Sequence, residues 1–213
     1  MIERWPEAIY EYILERTRFD DPLLREMERR AQRDSFPIIG PLVGPWLYML
    51  TRLVGARRVF EMGSGYGYST WYFASAVRDN GGGTVTAAVW DAPLAAEASG
   101  WMARCGLLQY CDLQVSEAIL ALSSAKPGID VVFLDIEKDS YPAALDIIES
   151  KLRVGGLLLV DNVIWSGRVI DPGDRSEATQ GVLQFNDTLA ASKRWQYLIN
   201  PLRDGLGVGV FRG

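Results

Sequence analysis

Segments of strand length alternate with segments of helix length from residue 57 to residue 160, and this alternation constrains the fold more than any other feature. Apolar residues fill the strand-length segments, and apolar residues at helical spacing fill the intervals. Strands that alternate with helices pair in parallel through right-handed crossovers. The predicted strands are residues 57–62, 84–90, 112–115, 129–134 and 156–160. Gly155 is predicted to end the helix that precedes the last of these strands. The sequence therefore predicts an α/β fold with a doubly wound, mostly parallel sheet.

The two ends of the chain add a hairpin and a helical layer. Two further strands are predicted at residues 194–200 and 206–212. Because the link between them is short, they are antiparallel, and the sheet becomes a mixed sheet of seven strands. Helices are predicted at 5–17 and 21–32, and a third runs to residue 53. Because 48% of the 213 residues are hydrophobic, the chain can build one substantial core. We expect a single domain, in which residues 1–54 form an N-terminal helical cover and residues 55–213 form the α/β core.

Composition excludes several classes of protein. The net charge is −5 and no Lys/Arg cluster is dense, which argues against nucleic acid as a partner. There is no histidine, and the two cysteines do not form a CxxC pair, which argues against zinc and a disulfide framework. The charged N-terminal residues lack the apolar core of a signal peptide, and no apolar run has membrane-spanning length. We therefore predict a cytoplasmic protein that does not associate with membranes.

Polar side chains follow two neighbouring strands of the predicted sheet. Asp135 comes directly after the strand at 129–134, and Asp161 and Asn162 follow the strand at 156–160. The carboxyl ends of parallel strands share one edge of a sheet, which is where open α/β sheets bind ligands. An all-oxygen set suits a hard cation such as Mg²⁺, Mn²⁺ or Ca²⁺. The alternative is a pair of solvated aspartates that cap the following helices.

Three glycines at alternate positions, Gly63, Gly65 and Gly67, separate the first strand from its helix. Glycines allow a backbone to approach a ligand closely, and a helix N-terminus attracts negative charge. This pattern indicates a nucleotide-type cofactor, although any tight strand-to-helix turn can use glycine. The spacing is not the G-x-G-x-x-G of dinucleotide sites. Glu61, just before the glycines, suits a cationic amino group better than a pyrophosphate.

Five stretches of the sequence resemble a known family: GARRVFEMGSGYGYSTW, DVVFLDIEKDSYP, GGLLLVDNVIWSGRV, the Phe185-Asn186 pair and PLRDGLGVGV. They are similar to the class I S-adenosylmethionine-dependent methyltransferases, which have a Rossmann-like fold. Within these, they are similar to the cation-dependent O-methyltransferases of the caffeoyl-CoA and catechol type. The resemblance implies S-adenosylmethionine as cofactor, held by Ile39, Glu61, Gly63, Ser64, Gly65, Gly67, Ser69, Asp91, Glu117, Ala118 and Asp135.

The same resemblance implies the rest of the site. Asp135, Asp161 and Asn162 would bind the divalent cation, Lys138 would be the general base, and Asn186 would lie near the ion. The acceptor would be a small catechol-like or other phenolic hydroxyl compound, and the protein would be a homodimer. The aromatic residues Trp5, Tyr10, Tyr12, Tyr141 and Trp165 either line the acceptor pocket or pack in the core or at an interface.

One position departs from the family pattern. Val89 stands where these enzymes carry an acid that holds the cofactor ribose, and Asp91, two residues later, is the predicted substitute. This departure, with Glu137 and Asp139 flanking Lys138, leaves open an alternative in which the chain is a binding or scaffold protein with poor cofactor affinity. A nicotinamide dehydrogenase is a third reading, which the glycine spacing disfavours.

Overall fold

A seven-stranded mixed sheet forms the centre of the protein in a computed structural model, which describes residues 7–213. The strands are β1 (Arg58–Met62), β2 (Thr84–Val89), β3 (Cys111–Val115), β4 (Ile129–Leu134), β5 (Leu152–Val160), β6 (Trp195–Asn200) and β7 (Leu206–Phe211). Their order across the sheet is β3-β2-β1-β4-β5-β7-β6. The first five are parallel, and β7 is antiparallel to both β5 and β6. The predicted fold class is therefore confirmed.

Eight α-helices accompany these strands in the described part of the chain. They are α1 (Glu7–Thr17), α2 (Pro22–Asp34), α3 (Gly40–Leu53), α4 (Tyr68–Asp79), α5 (Ala92–Arg104), α6 (Ala118–Ser124), α7 (Tyr141–Lys151) and α8 (Glu177–Ala191). Short 3₁₀ turns cover Leu108–Tyr110, Lys138–Ser140 and Trp165–Ile170. Asp21 caps α2 as its sequence context favours, since its carboxylate accepts a hydrogen bond from Leu23 N at 2.8 Å. Between residues 7 and 213, no helix is both long enough and apolar enough to cross a lipid bilayer.

The predicted start of β5 is wrong. Gly155 was expected to separate α7 from the strand, but β5 begins at Leu152 and runs through the glycines. Its pairing with β4 is irregular between Ile129 and Val131, so the residues between Leu152 and Leu157 bulge out of the regular ladder. Gly155 takes a φ of +76° inside this bulge. Glycine here bends a strand rather than ending a helix.

Side chains of the central strands alternate between two buried clusters. Val131 and Phe133 of β4 pack with helices α2 to α5 on one face. Val132 and Leu134 pack with α6, α7 and α8 on the other face. Alternation of this kind follows from the two-residue period of a strand. Both faces of the parallel sheet are covered, so the open surface at the carboxyl ends of the strands is left for ligands.

The chain reverses its direction of winding at β1, which lies between β2 and β4. The ends of β1, β4 and β5 are in register: Met62 pairs with Leu134, and Leu134 pairs with Val160. The hydrogen bonds continue past these ends, from Asp135 N to Met62 O (2.9 Å) and from Asp161 N to Leu134 O (3.1 Å). The two aspartates are therefore neighbours on one rim, at the switch point where such sheets bind ligands.

Candidate active site

A cleft of about 1460 Å³ opens at the carboxyl ends of β1, β2, β4 and β5. Its walls combine the strand-end loops with helices α1 and α2 and the segment at residues 35–42. Nine of the residues predicted for the site line it: Gly63, Ser64, Gly65, Glu117, Ala118, Asp135, Lys138, Asp161 and Asn162. Five others, Ile39, Glu61, Gly67, Ser69 and Asp91, do not line it. The structure therefore brings the glycine turn, the two aspartates and the predicted base Lys138 into one cleft.

Close packing explains the first glycine of the turn. Gly63 has a φ of +88°, and a Cβ at this position would lie 2.0 Å from the backbone oxygen of Asp135. Only glycine allows the turn after β1 to pass this close to the end of β4. Ser64 N also donates a hydrogen bond to Ala88 O at 2.9 Å, which ties the turn to β2. The turn is fixed on both sides at the floor of the cleft.

Helix α4 begins directly after this turn and has no side-chain cap at its N-terminus. The uncapped N–H groups leave a partial positive charge there, which favours an anionic group such as a carboxylate. Ser69, in the first turn of the helix, does not face the cleft but donates a hydrogen bond to Glu61. The local chemistry thus fits the amino-acid end of S-adenosylmethionine.

Glu61 is fully buried beneath the glycine turn. The Ser69 hydroxyl donates to one carboxylate oxygen and the Thr70 hydroxyl donates to the other. Burial raises the pKa of Glu61 to about 7, against the opposing effect of these hydrogen bonds. In this arrangement Glu61 ties the end of β1 to the first turn of α4, and direct contact with a cofactor stays a prediction.

The end of β2 differs from the expectation for a ribose site. Val89 is fully buried, and Asp91 caps α5 by accepting a hydrogen bond from Leu94 N at 2.9 Å. The residue between them, Trp90, lines the cleft and is 79% exposed. Sequence reasoning missed Trp90, although an aromatic residue between a strand end and a helix cap is a readable signal. The ribose contact predicted for Asp91 has no support in its position, and it stays a prediction.

The opposite wall of this end of the cleft comes from the start of α6. Glu117 caps that helix by accepting hydrogen bonds from Ile119 N and Leu120 N, at 2.8 and 2.7 Å. Its neighbour Ala118 is 8% exposed and lines the cleft. On the α3 side, Ile39 is buried while Ile38 lines the cleft. The segment predicted to cover the cofactor is therefore present, but it faces the cleft through Ile38.

The carboxylate rim, formed by Asp135 and Asp161, is partly buried, and the negative charge of one disfavours that of the other. Asp161 is 8% exposed, and its pKa is raised to about 7, first by burial and then by the nearby charge of Asp135. Lys138 Nζ donates hydrogen bonds to Asp135 Oδ1 and to Ile136 O, both at 3.0 Å. A cation beside the two carboxylates would relieve their repulsion. The ammonium of Lys138 fills this role for Asp135 in the structure.

The donor set of the rim fits a hard divalent cation. Asp135, Asp161 and Asn162 provide only oxygen for a metal, which suits Mg²⁺, Mn²⁺ or Ca²⁺. Within residues 7–213, no three carboxylate, thiol or imidazole side chains come together as ligands. The amide oxygen of Asn162 would therefore be the third protein ligand, with water completing the shell.

Aromatic residues next to the rim have separate roles. Trp165 lines the cleft, and its buried indole N–H has no partner among the described residues. Tyr141 is fully buried and donates a hydrogen bond to Asp161 O at 3.0 Å, so it supports the rim rather than lining the cleft. Tyr10 and Tyr12 do not line the cleft either. Trp5 lies outside the described residues, so its predicted role stays a prediction.

Three further residues complete the surroundings of the rim. Asn186 donates to Val163 O at 2.8 Å and accepts from the Tyr197 hydroxyl at 2.9 Å, which braces the segment after β5 from outside the cleft. Arg203 and Asp204 line the cleft and were not predicted. Both lie in the PLRDGLGVGV stretch, which the sequence analysis used as a hairpin link and as part of the family resemblance, without a role for either residue.

Comparison with known proteins fits this geometry. A sequence model of the O-methyltransferase family matches residues 15–210. The chain belongs to the O-methyltransferase family. A catechol O-methyltransferase of Niastella koreensis is 30% identical to this family member over 193 residues, covering 87% of this chain and 86% of that protein. A caffeoyl-CoA O-methyltransferase of Eucalyptus gunnii is 27% identical over 216 residues, covering 94% and 86%.

A solved structure supports the same assignment. The O-methyltransferase from Bacillus cereus, in complex with SAH, has a TM-score of 0.86 and 26% sequence identity to this O-methyltransferase family member. The match covers 100% of both chains. The family resemblance seen in the sequence is therefore confirmed, together with the Rossmann-like fold.

Proposed function

We propose that this chain is an S-adenosylmethionine-dependent, divalent-cation-dependent O-methyltransferase whose acceptor is a hydroxyl group of a small catechol-like or other phenolic compound. One observation supports this proposal above all others. The glycine turn at Gly63 and Gly65 and the oxygen rim at Asp135, Asp161 and Asn162 line the same cleft. A methyl donor and a hydroxyl acceptor must meet within one cleft if one is to react with the other.

The residues at the cleft floor would hold S-adenosylmethionine. The glycine turn and the uncapped start of α4 would receive its amino-acid end. The adenine end would lie between Trp90 and Ala118, which line the same part of the cleft at the ends of β2 and β3. The SAH-bound relative from Bacillus cereus supports this choice of cofactor.

The rim would hold the cation through Asp135, Asp161 and Asn162. A bound divalent cation supplies Lewis-acid polarisation, which makes an acceptor hydroxyl more acidic. A vicinal diphenol presents two adjacent oxygens and so suits a site with open coordination positions. The relatives named as catechol and caffeoyl-CoA O-methyltransferases support a phenolic acceptor.

Lys138 would take the proton of the acceptor hydroxyl. S-adenosylmethionine held at the glycine turn would supply the methyl group for the acceptor oxygen. Lys138 Nζ, in its neutral form, would accept the hydroxyl proton. Lys138 is held over the aromatic rings of Tyr141 and Trp165, whose centroids lie 5.3 and 5.8 Å from Nζ. To act as the base, Lys138 Nζ would have to leave Asp135 Oδ1 and give up a proton before it accepts the proton of the hydroxyl.

The alternative of a non-catalytic scaffold is not favoured, since both halves of the predicted site face one cleft and the relatives are O-methyltransferases. A homodimer in the cytoplasm completes the proposal. Free thiols at both Cys105 and Cys111 are consistent with a reducing compartment. Helix α3 exposes Trp46, Met49 and Leu53, and these side chains are the surface that we propose for the dimer contact.

The direct test is an assay with S-adenosylmethionine, Mg²⁺ and a panel of vicinal diphenols and single phenols. We expect a methyl ether and S-adenosylhomocysteine, no product after chelation with EDTA, and recovery with Mg²⁺. Asp161→Asn should remove the activity, whereas Asp187→Asn, at an exposed site on α8, should not. Methylation that is insensitive to EDTA and to Asp161→Asn would contradict the cation-dependent proposal. No product on the whole panel would contradict the phenolic acceptor.

A further inference from the structure

The link between β6 and β7 packs against the segment that follows β5. Ile164 N donates to Asp204 O at 2.9 Å, and Val163 N donates to Gly205 O at 3.2 Å. Gly205 has a φ of +87°, and a Cβ there would lie 2.5 Å from Ile164 Cγ1 and 2.9 Å from Ile164 N. The two segments therefore touch through their backbones, which brings the Asp204 carboxylate beside the segment that carries Asn162.

Both carboxylate oxygens of Asp204 are used on that segment. Oδ2 accepts a hydrogen bond from Asn162 Nδ2 at 2.9 Å, and Oδ1 accepts one from Ser166 N. An ionised carboxylate only accepts hydrogen bonds, so the group of Asn162 that faces it must be the amide N–H. Because the amide is planar, this contact also fixes the direction in which Asn162 Oδ1 points. Asn162 Oδ1 receives no hydrogen bond from any residue in the described part of the chain.

The backbone of this segment needs such a restraint. Asn162, Trp165 and Ser166 have φ values of 56°, 50° and 53°, in the left-handed region. This region is unfavourable for residues with a Cβ and persists only where surrounding contacts hold it. Asp204 contacts the first and last of these three residues. It therefore holds the segment at both ends while it orients the Asn162 side chain.

We propose that Asp204 is a positioning residue for the cation site: it turns the Asn162 amide so that Oδ1, and not Nδ2, is available beside Asp135 and Asp161. The inference rests on the proposed function, because it assigns a role toward the same cation. Asp204 is not assigned as a ligand, since its two oxygens are occupied by Asn162 and Ser166. Loss of a partner that orients a metal ligand typically lowers metal affinity about 10- to 100-fold.

The decisive variant is Asp204→Asn, tested with Mn²⁺ alone. An asparagine at this position keeps one acceptor oxygen for Ser166 N but offers an N–H group to Asn162. Two N–H groups repel, so the Asn162 amide turns over and presents its NH₂ to the rim. We expect Mn²⁺ affinity, measured from the free-ion signal by electron paramagnetic resonance, to fall about 10- to 100-fold.

The reciprocal double variant, Asn162→Asp with Asp204→Asn, separates orientation from a general structural role. A carboxylate at 162 has an oxygen on each side, so one can accept from the new amide while the other faces the rim. We expect this swap to recover most of the Mn²⁺ affinity. Glu137→Gln is the matched control, because it removes one negative charge from the cleft lining and leaves Asn162 untouched. It should change the affinity little.

The possible results bear on the positioning role of Asp204 in different ways. Equal affinity in the wild type and Asp204→Asn would overturn the positioning role and leave the proposed function intact. A loss in Asp204→Asn that the swap does not recover would also overturn it, and would leave Asp204 as a general packing residue. An equal loss in Glu137→Gln would show that only charge matters. A wild-type protein that holds no Mn²⁺ at millimolar concentration would overturn the cation site itself, and the positioning role with it.

Discussion

Lys138 Nζ lies 3.0 Å from Asp135 Oδ1, so the proposed base occupies an oxygen that the proposed cation needs. The two roles are compatible only one after the other, since a cation bound at Asp135 would have to displace the ammonium of Lys138. The rings of Tyr141 and Trp165, whose centroids lie 5.3 and 5.8 Å from Nζ, offer the ammonium other contacts beside the rim. We therefore expect a cation at the rim to control whether Lys138 is available as the base.

We predict that Lys138→Met lowers kcat by about 10²- to 10⁴-fold, because general base catalysis contributes on this scale. Mg²⁺ should still bind, since the three oxygen ligands remain, and its affinity should rise because a competing ammonium is gone. Steady-state kinetics and calorimetry with Mg²⁺ measure the two effects. Lys193→Met, at an exposed position, is the matched control. An unchanged kcat in Lys138→Met would remove this lysine from the chemistry.

The buried carboxyl of Glu61 predicts a pH dependence of stability. Its pKa is raised from 4.5 to about 7 in the folded protein, so the folded state binds this proton more tightly than the unfolded state does. The stabilisation of the folded state by this proton is fully present below about pH 4.5 and is lost as the pH rises to about 7. It amounts to at most about 3 kcal/mol. In cofactor-free protein, we therefore expect Glu61→Gln to lose less stability than the wild type between pH 5 and pH 8.

Thermal or urea unfolding of both proteins at several pH values measures this difference. The exposed Glu11→Gln variant serves as the control, and its pH dependence should follow that of the wild type. Parallel curves for the wild type and Glu61→Gln would contradict the raised pKa of the Glu61 carboxyl.

Trp90 predicts how the adenosine end of the cofactor is held. Neither Val89 nor Asp91 lines the cleft, whereas the indole of Trp90 does. Stacking of a base on an aromatic ring is worth about 1–3 kcal/mol, so Trp90→Ala should weaken S-adenosylmethionine binding about tenfold or more. Calorimetry measures the affinity, with Leu120→Ala as the exposed apolar control outside the cleft lining. An unchanged affinity in Trp90→Ala would place the adenine elsewhere.

The exposed apolar face of α3 predicts a dimer. Trp46, Met49 and Leu53 are 43%, 53% and 74% exposed, and large apolar surfaces of this kind mark association sites. We expect light scattering to show a dimer at micromolar concentration, and the double variant Trp46→Glu with Met49→Glu to be monomeric. Leu198→Glu, at an exposed position on the edge strand β6, should remain dimeric. A monomeric wild type would contradict the dimer.

The sequence was sufficient for the fold because each element carries its own local signal. Apolar runs such as 131–134 form buried strands, Asp21 caps a helix, and the short link before Gly205 forces an antiparallel pair. The prediction failed at Gly155, where a glycine that interrupts a pattern has two structural meanings. Only the pairing of Leu152 with Ile129, which is a tertiary contact, decides between them.

The candidate site was predictable where a residue faces the cleft because of its place at a strand end. Asp135, Asp161 and Gly63 follow this rule. The rule does not distinguish a side chain on the cleft surface from one that supports it, so Glu61 and Asp91 were expected at the surface. Asp204 was missed because its role depends on contact with Asn162, which is 42 residues away in the chain.

The contact between Gly63 and the backbone of Asp135 has a consequence for how acceptor range can change. It joins the turn after β1 to the end of β4 through main-chain atoms, so we expect side-chain substitutions elsewhere in the cleft to change the spacing of the proposed cofactor and cation sites little. The wall at residues 35–42 and the helices α1 and α2 line the same cleft and meet the glycine turn through Phe36, whose ring centroid lies 5.2 Å from that of Tyr66. We therefore expect variation in that wall away from Phe36, natural or designed, to change which acceptors enter the cleft while the spacing of the two proposed sites is kept.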